Sequence, residues 1–259
     1  MQRDRSRGQN ASVFAPVSFR APGGTVGAVC GRFTLTSTPE SLARRFGLAE
    51  PPAQKRRYNI APGQDVLAVR SGADGARRAA WLRWGLVPRG SAARGSGGGW
   101  INARVETVAE RAAFRDAFRA RRCLVPADGF FEWAERGGFR QPYRAVLPGG
   151  ELFAFAGLWE PWGEAEGPTL ESCAILTQDA SPGLRALHDR MPVVLPPEAY
   201  APWLDPTLHD VAPLRALLRA AGDPGFATYP VSTRVNQPRF DDPACVKPVA
   251  EPPLQTTLF

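Results

Sequence analysis

Short runs of apolar residues, several alternating with polar ones, recur at positions 65–70, 79–84, 130–133, 152–159, 172–177 and 191–195. Most are closed off by glycine or proline. Side chains two apart share one face of a strand, so these runs predict antiparallel β-strands joined by tight turns. An earlier strand is expected through Cys30-Gly-Arg-Phe-Thr-Leu35. A helix should follow it, opening at Ser37-Thr-Pro-Glu40 with capping-box spacing and a proline in the first turn, and stopping near Gly47. Positions 107–119, 197–204 and 211–221 instead place apolar residues at helical spacing, as with Phe114 and Phe118 or Leu214, Leu217 and Leu218. The stretch Trp100-Ile-Asn-Ala-Arg104 reads as extended. Strands dominate, and the class is α+β, a mainly antiparallel distorted barrel or sandwich with flanking helices.

The two ends read differently. Residues 1–29 are polar, rich in glycine and arginine and without periodicity, and are expected to be a disordered or mis-assigned extension. Residues 30–237 are expected to form one folded domain, and residues 238–259 a proline-rich tail that wraps the surface. The net charge is +7, of which +3 lies in residues 1–29, so the body is only mildly basic. Lys55 and Lys247 are the only lysines. A nucleic-acid partner is permitted by this charge and not demanded by it, since arginine-rich composition has the same effect. Nothing approaches the length of a membrane span, and the apolar stretch near Val13 is too short and too broken by Pro16 for a signal peptide. Cys30, Cys123, Cys173 and Cys245 show no metal-ligand spacing, so neither a metal nor a cofactor is expected, and free thiols suit a reducing cytoplasm.

A few residues could do chemistry. His188 lies in Leu187-His-Asp-Arg-Met-Pro192 between a helix-like stretch and a strand, whereas His209 falls in an exposed turn. Glu132 stands in an aromatic strand, Gly129-Phe-Phe-Glu-Trp133. If its face is buried it is a general acid or base; otherwise it marks the solvent side. Asn102 and Arg104 share one face of their extended stretch and could hydrogen-bond a phosphate or cap the next helix. The glycine-rich run from Arg89 to Gly99 reads as a loop whose two arginines either touch phosphates or are simply solvated.

Eight segments in order resemble the SRAP (SOS response-associated peptidase) family of abasic-site processing proteins. They are Cys30-Gly-Arg-Phe33, Tyr58-Asn-Ile-Ala-Pro-Gly63, Trp84-Gly-Leu-Val-Pro88, Asn102-Ala-Arg-Val-Glu-Thr107, Arg122-Cys-Leu-Val-Pro-Ala-Asp-Gly-Phe-Phe-Glu-Trp133, Gly157-Leu-Trp159, Leu176-Thr177 and His188-Asp-Arg-Met-Pro192. The resemblance implies that Cys30, as an N-terminal residue, is the nucleophile. Asn102 would orient its amine and the linked sugar, Glu132 would be the acid/base group, and His188 would assist proton transfer. Arg32, Trp84, Arg104 and Thr177 match positions used around the DNA strand. The implied activity is covalent crosslinking to abasic sites in single-stranded DNA during the damage response, with self-processing peptidase and AP-lyase-like chemistry, in a cytoplasmic, nucleoid-associated protein.

A 1,2-aminothiol suits this reaction. The open-chain aldehyde of an abasic deoxyribose is attacked by nitrogen to give an imine, then by sulfur to close a thiazolidine. An α-amine of pKa about 7.7–8.0 is partly unprotonated at neutral pH, whereas a peptide nitrogen is tied up in resonance. Here 29 residues precede Cys30, so the expectation is either a start at the codon of Val29 or removal of the extension by self-cleavage. Two other readings stand beside it: a cysteine peptidase acting on other proteins, and a non-catalytic module that binds single-stranded DNA.

Overall fold

In the computed structural model, which describes residues 31–91, 99–136, 139–163 and 170–251, the apolar runs assemble into two sheets packed face to face. The expectations for residues 1–29, for Cys30, and for part of the glycine-rich loop and of the tail lie outside the described residues. In chain order the described elements are β1 (Phe33–Leu35), α1 (Pro39–Phe46), β2 (Arg57–Ile60), β3 (Asp65–Ser71), β4 (Arg77–Trp84) and β5 (Asn102–Arg104). There follow α2 (Arg115–Ala120), β6 (Arg122–Ala127), β7 (Gly129–Arg136), β8 (Phe139–Val146), β9 (Phe153–Trp162) and β10 (Leu170–Asp179). Last come β11 (Arg190–Pro192), β12 (Val194–Leu195), α3 (Tyr200–Leu204), α4 (Val211–Ala220) and β13 (Ala227–Pro230).

One sheet runs β13-β8-β7-β1-β2. In the other, β10, β4, β3, β6 and β9 close on themselves because β9 also pairs with β10, so the expected mainly antiparallel barrel forms, with one parallel pairing between β10 and β4 and with β11, β12 and β5 attached to it. Closure leaves few free strand edges. The sheets meet through aromatic side chains: Phe33 of β1 lies edge-on to Trp84 of β4 at 5.2 Å and to Phe155 of β9 at 5.7 Å, and Phe130 of β7 packs on Phe155 at 6.2 Å. All four rings are fully buried, and each contributes on the order of 2–3 kcal/mol by leaving water.

The outer face of the first sheet has a core of its own. Phe131, Val231, Val235 and Cys245 pack there with Tyr58, Trp133 and Phe240. The Asp241 carboxylate pairs with Arg57 and accepts from the amides of Tyr58 and Asn59. The chain after Pro238 is thereby held on this sheet as far as the described residues reach.

Helix α1 stops at Gly47, which adopts the left-handed conformation with φ of 65°. Its cap is one residue later than the sequence spacing suggests. Thr38, not Ser37, accepts the Ser41 amide at 3.3 Å, while Ser37 bonds to Asp128. The helix expected over 107–119 shrinks to α2, preceded by turns such as Glu110 to Thr107 and Phe114 to Arg111. Tertiary contacts decide this, because Glu110 turns to pair with Arg215 and Arg111 lies over Trp100. The segment 197–204 starts as a single 3-10 turn before α3. Strands β2, β6, β8 and β13 escape the periodicity. Strand β6 is buried along its whole length and so does not alternate, and β8 contains Pro142.

Candidate active site

Strand β10 organises the region. Its residues Ser172 and Cys173 pair in parallel with Arg83 and Trp84 of β4, and Ile175 to Thr177 pair in parallel with Asn102 to Arg104 of β5. The chain therefore leaves this edge after Trp84 and returns to it at Asn102. The base of the excursion is pinched by the Leu86–Trp100 bridge, two amide-to-carbonyl bonds of 2.9 Å. Gly99 makes the pinch possible: it has φ of 79°, and a Cβ there would stand 2.3 Å from the Gly85 carbonyl oxygen.

On β5, Ala103 is buried and Ile101 packs against the core, so Asn102 and Arg104 project from the other face, as their spacing predicts. Asn102 is partly buried and Arg104 is exposed. Neither acts as a helix cap; the N-cap of α2 is Phe114.

His188 precedes β11, which pairs with the opposite edge of β10 from β5. It sits two residues before Arg190, whose guanidinium donates to Glu106 at 2.7 and 2.9 Å, to Asp179 at 2.6 Å and to the Thr177 carbonyl at 2.9 Å. This clamp ties the segment after β5 to the β10–β11 hairpin. Burial on its own would lower the pKa of Arg190 and raise that of Glu106, but the ion pair overcomes it in both cases. Nδ1 of His188 accepts the Arg190 amide at 3.0 Å and lies 2.9 Å from the Asp189 carboxylate. The two contacts make opposite demands: the amide suits a ring protonated on Nε2 alone, the carboxylate a ring with a proton on Nδ1.

Glu132 occupies the other sheet. Phe130 and Ala134, its neighbours two away on β7, belong to the central core, whereas Phe131 belongs to the outer cluster. Glu132 therefore points inward and is 3% exposed, so the solvent-facing alternative does not hold. Tyr143 of β8 stands opposite it. On the other side, β1 pairs Phe33 with Phe130 and Thr34 with Gly129, and the Phe131 amide donates to the Arg32 carbonyl at 3.0 Å. Continued by two residues, this register sets Gly31 beside Glu132. Cys30, the residue before Gly31, lies outside the described residues.

Three of the four residues expected around DNA sit differently. Trp84 is fully buried and donates its indole N–H to the Ile101 carbonyl at 2.9 Å, so it has no face on which a base could stack. Arg32 points to the outer side of the first sheet. Its guanidinium is engaged by Asn59 Oδ1 at 3.0 Å and by the carbonyls of Val235 and Asn236, and burial lowers its pKa. Thr177 is 1% exposed, and its carbonyl accepts from Val105 and Arg190. Only Arg104 is exposed for a phosphate. His209 is exposed, with Nδ1 3.1 Å from the Arg119 carbonyl.

The three described cysteines are poor nucleophiles. Burial pushes the Cys123 thiol up to about 12, the Cys173 thiol well above its ordinary value and the Cys245 thiol upward, so none offers a thiolate at neutral pH. Among the described residues no group of three or more His, Cys, Asp or Glu could hold a metal ion, and no helix is long and apolar enough to cross a membrane. A cleft lined by Val105, Glu106, Gln178, Arg215, Leu218 and Arg219 lies just past β5 and includes none of Asn102, Glu132 or His188.

A family model described as SOS response associated peptidase (SRAP) matches residues 29–238. The chain is 37% identical over 224 residues to the abasic site processing protein YoqW of Bacillus subtilis, covering 85% of this chain and 99% of that one. It is 32% identical over 274 residues to the abasic site processing protein HMCES of Gallus gallus, covering 85% and 78%. Among solved structures, a phage-related protein of Bordetella bronchiseptica superposes with a TM-score of 0.65 at 34% identity, covering 79% of this chain and 95% of that one. A protein from Bacteroides thetaiotaomicron, at 22% identity and a TM-score of 0.71, covers 85% and 100% and shares the fold.

Proposed function

The chain belongs to the SOS response associated peptidase family, and from that premise we propose that it processes abasic sites in DNA, capturing them in single strands through the amine and thiol of Cys30. The α-amine adds to the C1′ aldehyde of the open sugar, and water leaves as the imine forms. The thiol then adds across the C=N bond: a C–S bond forms, the sulfur's proton passes to nitrogen, and a thiazolidine closes. Glu132 moves protons in the imine step, His188 supports that transfer, Asn102 orients the amine and sugar, and Arg104 holds a phosphate.

The observation that carries this reading is the placement of Glu132. A carboxylate only 3% exposed points into the space between the sheets, beside the backbone of the residue that follows Cys30. A carboxyl group in that position is placed to give and take the protons that imine formation moves. The raised thiols of Cys123, Cys173 and Cys245 support the same choice by removing the competing nucleophiles.

A denaturing gel tests the proposal. A chain that begins at Cys30 is incubated with a single-stranded oligonucleotide bearing one abasic site. The expected result is a shifted band that survives denaturant, is lost in Cys30→Ala and is lost when the α-amine is acetylated. Absence of the band with the unmodified chain overturns the proposal. A band that persists after acetylation points instead to thiol chemistry of the peptidase type, and complexes that salt dissolves before denaturation point to a binding module.

A further inference from the structure

Two tryptophans among the described residues have nearly half their surface in solvent. Trp81 is 45% exposed on β4 and Trp100 47% exposed at the mouth of the Leu86–Trp100 pinch. An indole in water loses the free energy that burial would return, so an exposed one held in a fixed setting asks what covers it. The two settings differ. Among the described residues, no ring or cation packs on the Trp81 ring. Around Trp100, Arg111 places its guanidinium 5.3 Å from the ring centroid, and Phe114 meets the ring edge-on at 6.0 Å and 77°.

The backbone of Trp100 is fixed by the two bonds to Leu86 and by the Gly99 turn, and Phe114, itself buried, sets the tilt of the ring. Along the extended stretch that follows, Ile101 and Ala103 face the core. Trp100, Asn102 and Arg104 therefore alternate onto one side, spaced two residues apart and about 6–7 Å from each to the next. That interval is close to the spacing of nucleotides in an extended single strand. An aromatic ring beside a guanidinium is a platform on which a nucleobase stacks whatever its identity.

We propose that Trp100 and Arg111 form a stacking site for the nucleobase next to the abasic site, with Trp100 two residues before Asn102, the first residue of β5. This rests on the reading that the site takes single-stranded DNA. It gives Trp100 the role that the buried Trp84 cannot fill. Because stacking uses the π-face that every base has, the site takes any of the four bases.

The test uses the full chain and an oligonucleotide with a single tetrahydrofuran residue, an abasic analogue that has no aldehyde and cannot be captured covalently. Affinity is compared, by anisotropy at low salt, between a strand whose flanking nucleotides are thymidines and one whose flanking nucleotides are also tetrahydrofuran. The wild-type chain should prefer the flanking bases by roughly five- to a hundred-fold. Trp100→Ala should abolish the preference while binding the base-free strand as wild type does. Trp100→Phe should retain part of it, and Trp81→Ala, the equally exposed control, all of it. No preference in the wild type, a preference that survives Trp100→Ala, or equal weakening of both strands overturns the proposal. Since neither strand can react, failure of covalent capture and failure of this site are read separately.

Discussion

The indole N–H of Trp84 donates to the carbonyl of Ile101 at 2.9 Å, joining the barrel interior to the residue next to Asn102. Trp84 ends β4, and Asn102 opens the strand that replaces β4 along β10, so this bond spans the point where the chain leaves the sheet and returns. Trp84→Phe keeps an aromatic core residue but removes one of the carbonyl's two donors, leaving the Ile175 amide at 3.0 Å. The expected cost is about 1–2 kcal/mol in denaturant unfolding, with covalent capture slowed at an unchanged final yield. An unchanged capture rate at the expected loss of stability would confine Trp84 to packing.

Glu132→Gln removes the titratable carboxyl group of a residue 3% exposed with little change of shape. Crosslink formation should slow by roughly a hundred-fold or more, in the range seen for loss of general acid–base catalysis, in a variant whose melting shows that it is folded. Rates come from a quenched time course and stability from thermal melting. A variant that reacts at the wild-type rate would make Glu132 structural.

Arg104 is exposed at the end of β5, where a phosphate would find it in solvent. Arg104→Ala should weaken noncovalent binding of a single strand most at low salt and reduce the slope of log K against log salt by about 0.7, the value for one phosphate contact. Equal weakening at every salt concentration would count against a phosphate contact.

Arg122 is 4% exposed and donates to the carbonyls of Trp203 at 2.7 Å, Phe118 at 3.0 Å, Arg119 and Asp205. It closes the end of α2 and fastens α3 to β6, and burial brings its pKa down to about 10. Arg122→Met fills the volume but leaves buried acceptors without donors. A loss of about 2–4 kcal/mol is expected in urea unfolding, and a loss below about 0.5 kcal/mol would show that water substitutes for the guanidinium.

Burial holds the proton on Cys123 up to about pH 12, whereas an unfolded cysteine releases it near pH 8.5. Above that lower value the unfolded chain binds fewer protons than the folded one, so stability falls as pH rises. The contribution is fully present below about pH 8.5. Melting temperature should therefore decline between pH 8.5 and 9.5, and Cys123→Ala should flatten part of the decline, by up to about 1.4 kcal/mol per pH unit. An identical slope in the variant would assign the decline to other groups.

The residues themselves specified a great deal. Apolar or alternating runs, most of them bounded by glycine or proline, located β3, β4, β7, β9 and β10, because a strand that packs on the core must carry apolar side chains over its short length. The order of eight short motifs pointed to the family and to Asn102, Glu132 and His188. The same local logic could not say which way Glu132 faces, since a lone carboxylate in an aromatic strand fits either side. Nor could it rank one tryptophan above another. Trp84 lies in a motif yet is sealed in the core, and Trp100, two residues before Asn102, is 47% exposed. Strands β2, β6, β8 and β13, buried throughout, short or holding a proline, left no alternation to read.

What the sequence determined by itself was the family and the candidate groups it offers: Cys30, Glu132 and His188. The tertiary structure alone decided where those groups point. The closing of β10 against four partners sets Asn102 beside Ile175 and turns Trp84 inward. Pairing of β1 with β7 sets Gly31 against Glu132. Burial and facing are properties of what packs from across the chain, and no local pattern contains the neighbour that covers it.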